Sequence, residues 1–255
     1  MNGKEQVEPT LERPITILSF DLPKGGKSRN HQHAWGQFMY AISGVLFVNT
    51  ESGSYIVPPN RAVWIPGGIE HNVETPSGAK VRSLLFHLEQ TKALSPVCNV
   101  LEVSALLREL ILEANRLAKD YDWLGKGGRL MKVIHDMIGE MESVPLHLPL
   151  PRAEKLQEIT EKLLLNPADN RSIDEWGTIV GASGRTLSRL YLKEVGMPFG
   201  NWRQLFRIQA ALQFLAQGES VTTVAYDVGY NSVSTFITMF RKHMGYTPGD
   251  KAKYA

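Results

Sequence analysis

Two ten-residue stretches decide the fold of the C-terminal part of this chain: SIDEWGTIVG at 172–181 and SVTTVAYDVG at 220–229. Each has serine first, a β-branched residue second, a small residue sixth and Val-Gly at its end. The residues that follow also correspond, Leu187 with Phe236, Tyr191 with Phe240 and Gly196 with Gly245. One helix-turn-helix pattern therefore occurs twice.

The spacing within this repeat has a physical reason. A small residue, Gly177 or Ala225, lets a second helix cross close to the backbone of the first. The glycine that ends each stretch can adopt the positive φ at which helices often stop. Ser183 and Ser232 then stand where the second helix would begin, as N-caps or first-turn residues.

The second helix of each unit carries polar and basic side chains at the positions expected to point outward. Arginine can bind guanine bidentately in the major groove, and hydroxyls can bind phosphates or base edges. The alternative is an ordinary helical hairpin with a polar outer face, but two such motifs in register favour DNA binding. The predicted DNA-binding residues are Ser183, Arg185, Thr186, Ser188 and Arg189 in the first motif (about 172–193), and Asn231, Ser232, Ser234, Thr235, Thr238 and Arg241 in the second (about 220–243).

The segment between the motifs, 198–216, reads as one continuous helix that begins with proline. Its length would be roughly 28 Å at 1.5 Å per residue, comparable to one turn of B-DNA at ~34 Å. Basic residues also accumulate in 183–209, where Glu194 alone opposes them: Arg185, Arg189, Lys193, Arg203 and Arg207. This charge predicts either a phosphate-facing surface or a solvated helix face.

The C-terminal residues, about 152–252, resemble the DNA-binding domain of AraC/XylS-type transcriptional regulators. The resemblance rests on RTLSR at 185–189, VAYDVGY at 224–230 and FITMFRKHMGYTP at 236–248. It implies a sequence-specific regulator whose single chain binds a bipartite site on double-stranded DNA, with RNA polymerase as a partner if it activates transcription. Gly184 departs from the pattern, because a helix-favouring residue there would strengthen the first turn that glycine loosens.

The N-terminal part, from about Ile15 to Leu88, consists of short runs rich in β-branched and aromatic residues. Turn signals such as Gly25-Gly26, Pro58-Pro59 and Gly67-Gly68 separate these runs. Short, regularly spaced strands without intervening helices predict a β-sandwich or small barrel.

This barrel resembles a cupin. The first cupin motif is matched at Gly25, His31, His33, Gln37 and Gly44, and the second at Pro66, Gly68 and His71. Gln37 replaces the glutamate of the family, Asn60 its leading glycine and Thr75 its trailing asparagine. The resemblance implies an effector or metal pocket at His31, His33, Gln37 and His71.

The chemistry of this residue set agrees with a pocket. Residues i and i+2 of a strand share a face, so His31 and His33 would point together into the barrel. Imidazoles from both motifs could hold a divalent metal such as Zn, Ni, Fe or Mn, although Gln37 removes the anionic ligand. The alternative is a polar pocket without metal, so we expect no required cofactor. Trp35, Phe38, Tyr40, Phe47 and Trp64 are either apolar walls of the pocket or plain core.

Two further segments lie between the barrel and the helical repeat. Val103, Leu107, Leu110, Ala114 and Leu117 form an apolar helix stripe, and a second stripe runs from Leu130 to Met141. This two-helix segment, 101–143, would either cover the barrel or pair with a second copy in a homodimer. The proline-rich 144–151 then predicts an extended linker.

The sequence as a whole predicts an α+β multidomain protein. We expect a cupin-like sensor domain at 1–100, a helical dimerisation or cover segment at 101–143, a linker at 144–151, and an all-α domain at 152–255 with two helix-turn-helix motifs joined by a long helix. A single cysteine, Cys98, and a polar start without a signal peptide predict a cytoplasmic protein that does not enter membranes.

The sequence supports two hypotheses about function, which belong to different classes of protein. The favoured one is a non-enzymatic, sequence-specific transcription regulator, activator or repressor, controlled by a small molecule or metal in the cupin-like domain. The alternative is a metal-dependent cupin enzyme with an accessory helical domain. The missing carboxylate at Gln37 and the fused DNA-binding pattern argue against catalysis.

Overall fold

The computed structural model describes residues 11–250 as a β-sandwich covered by helices, followed by a helical domain. The N-terminal residues 1–10, on which the absence of a signal peptide was argued, and 251–255, at the end of the predicted DNA-binding domain, lie outside the described residues. Within the described range, no helix is both long and apolar enough to cross a membrane.

Ten strands within residues 11–250 form two antiparallel sheets. In chain order they are β1 (Ile15–Leu22), β2 (Gly36–Gly44), β3 (Leu46–Thr50), β4 (Gly53–Val57), β5 (Arg61–Ile65), β6 (His71–Glu74), β7 (Ala79–Phe86), β8 (Asn99–Glu102), β9 (Ser143–Val144) and β10 (His147–Pro149). One sheet has the order β1-β7-β2-β5-β8-β9, and the other the order β10-β4-β3-β6. This is the sandwich that the spacing of the short runs predicts.

The larger sheet is buried on both faces, because its side chains alternate between two cores. Met39, Val63 and Val81 pack in the core that includes Val48 and Ile56 of the smaller sheet. Their neighbours Phe38, Tyr40, Trp64 and Phe86 point the other way, into a second core. Three of the predicted pocket walls, Phe38, Tyr40 and Trp64, therefore lie on the outer face of the larger sheet, away from the pocket.

That second core is closed by helices. After the short α1 (Leu88–Thr91) come α2 (Ala105–Ala114) and α3 (Lys126–Gly139), which pack on the outer face of the larger sheet. Leu107, Ile111 and Ala114 of α2 are fully buried there. The buried part of the predicted stripe therefore covers the barrel, and dimerisation through this segment stays a prediction. Periodicity marks an apolar face but does not say which surface will meet it.

The proline-rich segment differs from a free linker. It is extended, as predicted, but β9 pairs with β8 and β10 pairs with β4, so these residues are the edge strands of the two sheets. Pro149 ends β10 opposite Gly53, which is a position where a strand tolerates proline. The connection between the two domains is therefore limited to a few residues after Pro149.

Up to residue 250, where the described part ends, the helical domain has six α-helices. They are α4 (Glu154–Leu165), α5 (Ile173–Ile179), α6 (Gly184–Leu190), α7 (Phe199–Gln217), α8 (Val221–Asp227) and α9 (Val233–Met244), and a π-helical turn (Tyr191–Val195) extends α6. The helix pairs α5–α6 and α8–α9 are the two copies of the sequence repeat, and α7 is the 19-residue helix between them. The long helix thus begins one residue later than predicted, with Pro198 as its N-cap.

Candidate functional site

The two helix pairs are built in the same way. A serine caps each second helix, because the Ser183 side chain accepts the Thr186 N–H and the Ser232 side chain accepts the Thr235 N–H. The glycines before these helices, Gly181 and Gly229, have φ of 64° and 84°. Leu187 and Phe236 are fully buried between the helices. The capping and the positive φ predicted from the spacing are confirmed.

The glycines of the first unit are required by close contacts. A Cβ on Gly177 would lie 2.4 Å from the carbonyl oxygen of Ala182, and one on Gly184 would lie within the van der Waals radius of the Asp174 carboxylate. Gly184 therefore allows α5 and α6 to approach, and the prediction that it merely weakens the first turn of α6 misses this role.

The predicted DNA-binding residues lie on the outside of the two second helices. Arg185 and Arg189 of α6, and Ser234, Thr235, Thr238 and Arg241 of α9, are exposed, as are Ser183 and Asn231 just before the helices; Thr186, Ser188 and Ser232 are half-buried. Within residues 11–250, Arg185, Arg189 and Arg241 form neither an ion pair nor a side-chain hydrogen bond. Their donors are therefore available to an external acceptor.

A shallow groove of about 360 Å³ runs beside α9. Ser234, Thr235 and Thr238 line it together with Gln204 of α7 and Lys242 of α9. Sequence reasoning missed Lys242, although it follows Arg241 directly and adds a second positive charge to the last turn of α9.

Two of the basic residues counted toward a phosphate-facing surface have structural roles. The Arg207 guanidinium is buried and donates to Asp169 O, Asn170 Oδ1 and Gly229 O. Arg203 donates to Arg171 O at 2.7 Å and lies over the Phe199 ring. These contacts tie α7 to the loop before α5 and to the turn of the second pair. The charge of the 183–209 segment alone could not distinguish these structural arginines, Arg203 and Arg207, from the exposed Arg185 and Arg189.

Three histidines converge at the end of the barrel. His31 and His71 form an isolated antiparallel bridge, with both backbone hydrogen bonds at 2.9 Å. The ring centroid of His71 lies 4.4 Å from that of His31 and 5.1 Å from that of His33. The bridge, rather than an i, i+2 pair on one regular strand, therefore brings the predicted residues together.

The backbone holds all three rings in one orientation. Nδ1 of His31 lies 3.0 Å from Arg29 O, Nδ1 of His33 2.7 Å from Trp35 O, and Nδ1 of His71 2.8 Å from Ile69 O. A carbonyl oxygen only accepts, so in each neutral ring the proton is on Nδ1 and Nε2 presents its lone pair. One ligand nitrogen from each ring lies within 4.8 Å of the other two.

The surroundings of His71 keep it in the neutral form. Its Nε2 is buried without a hydrogen-bond partner. Burial is the largest cause that lowers the pKa of His71 to about 4; the neighbouring His31 and His33 act in the same direction, and the hydrogen bond to Ile69 O opposes them. A neutral imidazole with an unpartnered lone pair suits a metal ion or a hydrogen-bond donor.

Gln37 completes this cluster. Its Oε1 lies 3.0 Å from Nε2 of His33, and its amide nitrogen lies 2.8 Å from the Ser83 hydroxyl. Two lone pairs facing each other repel, so the contact needs a cation bound to both atoms, a second proton on the ring at Nε2, or an amide turned by 180°, with nitrogen toward His33. Trp35 stacks on His33 with a centroid distance of 4.8 Å, so among the predicted pocket walls it contacts the cluster.

A departure from the second cupin motif also has an explanation. Asn60 stands where the family pattern has glycine, and its φ is 64°. Asparagine tolerates the left-handed region better than other side chains do, so it can replace glycine in this turn.

A cavity of about 1000 Å³ opens beside His71. Its lining includes Tyr55, Ile69, Cys98 and, from the segment that leads into the helical domain, His147 and Arg152. The His147 ring stacks on Tyr55, and burial lowers the pKa of His147 to about 4. Sequence reasoning missed both His147 and Arg152, because they lie outside every motif and only strand pairing places them here.

Comparisons with known proteins agree with both parts of the molecule. Residues 176–253 match a family model described as a helix-turn-helix domain, and residues 18–87 match one described as a cupin domain. The HTH-type transcriptional regulator NimR of Escherichia coli (strain K12) is 35% identical over 219 residues, which are 86% of this chain and 80% of NimR.

Two further matches are more limited. The HTH-type transcriptional regulator RipA of Corynebacterium glutamicum is 40% identical over 100 residues, 39% of this chain and 30% of RipA. The crystal structure of ToxT from Vibrio cholerae with a bound unsaturated fatty acid aligns with 95% of this chain and 96% of its own, at 14% identity and a TM-score of 0.40.

Proposed function

This chain belongs to the AraC-type helix-turn-helix transcriptional regulators, and from that premise we propose that both of its helix pairs read one bipartite operator under the control of the histidine pocket. It is a DNA-binding transcription regulator with a cupin domain and not an enzyme. The observation that carries the proposal is the repeated unit itself, because both second helices expose hydroxyl side chains together with arginines that have no partner among the described residues.

The long helix supports simultaneous contact by both units. α7 has 19 residues, which at 1.5 Å per residue is roughly 28 Å, and nine of its side chains are buried among the neighbouring helices. The Arg207 bonds to the second turn and to the loop before α5 stiffen this arrangement. A rigid spacer of nearly one helical turn, ~34 Å, suits two successive major-groove segments on one DNA face.

A footprint tests this proposal. The full chain should protect two short segments about 10–11 base pairs apart on one face of a promoter near its own gene. Protection of a single segment would show that one unit binds alone. Equal binding to random DNA at physiological salt would contradict sequence-specific recognition altogether.

We further propose that the cupin domain senses an effector or a divalent metal at His31, His33 and His71. The residues fit a metal, because one ligand nitrogen from each of the three rings faces the other two and a backbone carbonyl accepts from Nδ1 of each ring. A metal there would supply a Lewis-acidic binding point, and Gln37 would be its weak fourth ligand. Regulation then requires that occupancy differ between the DNA-binding states.

Zinc titration of the full chain checks the metal hypothesis. We expect zinc to raise the melting temperature of the wild type, His71→Ala to abolish this rise, and Gln37→Glu to enlarge it, because a carboxylate restores an anionic ligand. Binding should weaken as pH falls below about 6.5, where free histidine gains a proton that competes with the metal. If zinc raises the melting temperature of neither the wild type nor Gln37→Glu, the pocket holds no metal; if it raises both equally, Gln37 is not a ligand.

A homodimer would form, in our proposal, through the outward faces of α2 and α3. Leu106 of α2 and Val133 of α3 are 61% and 48% exposed, although both helices pack on the barrel through their other faces. Leu110 and Met137 are only partly buried beside them. Exposed leucine and valine on adjacent helices mark an interaction surface better than the buried stripe does. We also propose that the protein is located in the cytoplasm and that, if it activates transcription, it contacts RNA polymerase.

A further inference from the structure

We propose that Lys155 of α4 is a positioning residue for DNA recognition. It fixes the turn between α5 and α6, and thereby the angle at which α6 presents Arg185 and Arg189. Arg207 of α7 holds the corresponding turn of the second pair. The inference rests on the proposed function, because the first pair must read the operator. It adds one helix to each unit, so that α4–α5–α6 and α7–α8–α9 become the two units of the repeat.

The ammonium group of Lys155 lies at the turn of the first pair. Nζ donates to Val180 O at 2.6 Å and to Gly181 O at 3.1 Å. Val180 is the C-cap of α5, and Gly181 has the positive φ of the turn that follows. The last carbonyl groups of a helix have no partner within it, and the helix dipole favours a cation beside them. Lys155 therefore stabilises the backbone on which the direction of α6 depends.

The residues at the start of α4 also contact the far end of α6. The N–H groups of Arg152 and Ala153 donate to Oε2 of Glu194, at 3.0 and 2.8 Å. Glu194 lies in the π-helical turn that extends α6. The start of α4 is therefore bonded to the first pair at two points, before α6 through Lys155 and after it through Glu194. Removal of the first bond leaves α6 attached to α4 at one end, so its angle is less restricted.

The second pair has an equivalent contact from a more buried cation. Nη1 of Arg207 donates to Gly229 O at 3.3 Å, and Gly229 corresponds to Gly181 in the repeat. A Cβ on Gly229 would lie 2.5 Å from Nη2 of Arg207. A Cβ on Gly181 would lie 3.7 Å from Nζ of Lys155. Arg207 is buried, whereas Lys155 is exposed. The turn of the first pair is therefore held less tightly than that of the second.

The exposure of Lys155 makes it the better residue to change. Methionine keeps an apolar stem of similar length at this position, and the change empties no core site. Arg207 also donates to Asp169 O and Asn170 Oδ1 in the loop before α5, so its loss would affect both units. The effect of Lys155→Met should be confined to the first turn, to α6 and to the two arginines on that helix.

Amide hydrogen exchange of the full chain without DNA tests the contact itself. In the first turn the Ala182 N–H donates to Gly177 O at 2.8 Å. At the equivalent place in the second turn the Tyr230 N–H donates to Ala225 O at 2.9 Å. Lys155→Met should make exchange at Ala182 about threefold faster or more and leave Tyr230 unchanged. Lys155→Arg keeps a cationic donor and should restore slow exchange. Exchange at Ala182 that is the same in Lys155→Met and the wild type overturns the proposal.

Operator titrations test whether the contact matters for recognition. Lys155→Met should weaken operator binding about three- to tenfold, as expected when a charged hydrogen bond near the surface is lost, and leave binding to random DNA nearly unchanged. In a variant that already carries Arg185→Ala and Arg189→Ala, the same change should have little further effect, because Lys155 acts through those side chains. Lys162→Met removes a charge from another exposed position of α4 and should leave both affinities unchanged.

The same titrations can contradict the positioning role. Equal losses on operator and random DNA would assign Lys155 to a phosphate contact. A loss of undiminished size in the variant without Arg185 and Arg189 would show that Lys155 acts elsewhere, and either result overturns the proposal. Since the footprint uses the wild type, such a failure leaves DNA recognition standing. Since hydrogen exchange is measured without DNA, a failed footprint leaves the contact of Lys155 with the turn to be decided by exchange.

Discussion

Changing Arg185 or Arg189 to alanine is expected to weaken binding to the operator by about 1–3 kcal/mol each, if each reads a base. The two residues lie one helical turn apart on the exposed face of α6 and have no partner among the described residues. Since they share one surface, their effects need not add in the double variant. Gel-shift titrations on operator and on random DNA would measure both affinities.

A control separates base reading from simple charge. Lys80→Ala removes one positive charge from an exposed position on β7 of the cupin domain, so it should leave operator affinity nearly unchanged. Equal losses on operator and random DNA would assign Arg185 and Arg189 to phosphate contacts. Unchanged affinity in both folded variants would remove the first helix pair from recognition. The same titration with Arg241→Ala tests whether the second helix pair also reads bases.

A matched pair of adjacent leucines should separate folding from dimerisation. Leu107→Asp is expected to unfold the cupin domain, because Leu107 is 1% exposed and the change both empties its site and buries a charge. Such a change lowers the free energy of unfolding by more than about 4 kcal/mol, which is a large part of the total for an ordinary domain. Leu106→Asp, at a position 61% exposed, should change the unfolding free energy of the monomer by less than about 0.5 kcal/mol.

Light scattering after gel filtration then measures dimerisation. If the outward face of α2 forms a dimer, the wild type should have twice the mass of the folded Leu106→Asp variant. Identical masses would show that this face is not an interface. Loss of dimerisation should also weaken apparent operator affinity, because two DNA-binding units would no longer be held together.

Local patterns predicted much of this molecule because their causes are local. The small residue, the terminal glycine and the capping serine of each helix pair act over a few bonds, so the repeat gave the turns, the caps and the outward arginines. The family resemblance added the cupin domain and its three histidines. Their convergence was predicted correctly, although a bridge between His31 and His71 produces it.

The inferences that stayed open or failed were those that depend on which surface packs against which. Leu107 and Leu106 are equally apolar, and only packing decides that the first covers the barrel and the second faces outward. Arg207 and Arg189 carry the same charge, but one is buried against two loops. The sequence by itself therefore determined the helix pairs, the strands and the candidate ligands. The tertiary structure alone decided which faces are covered and placed Arg152 between cavity and helix, because burial depends on contacts between residues far apart in the chain.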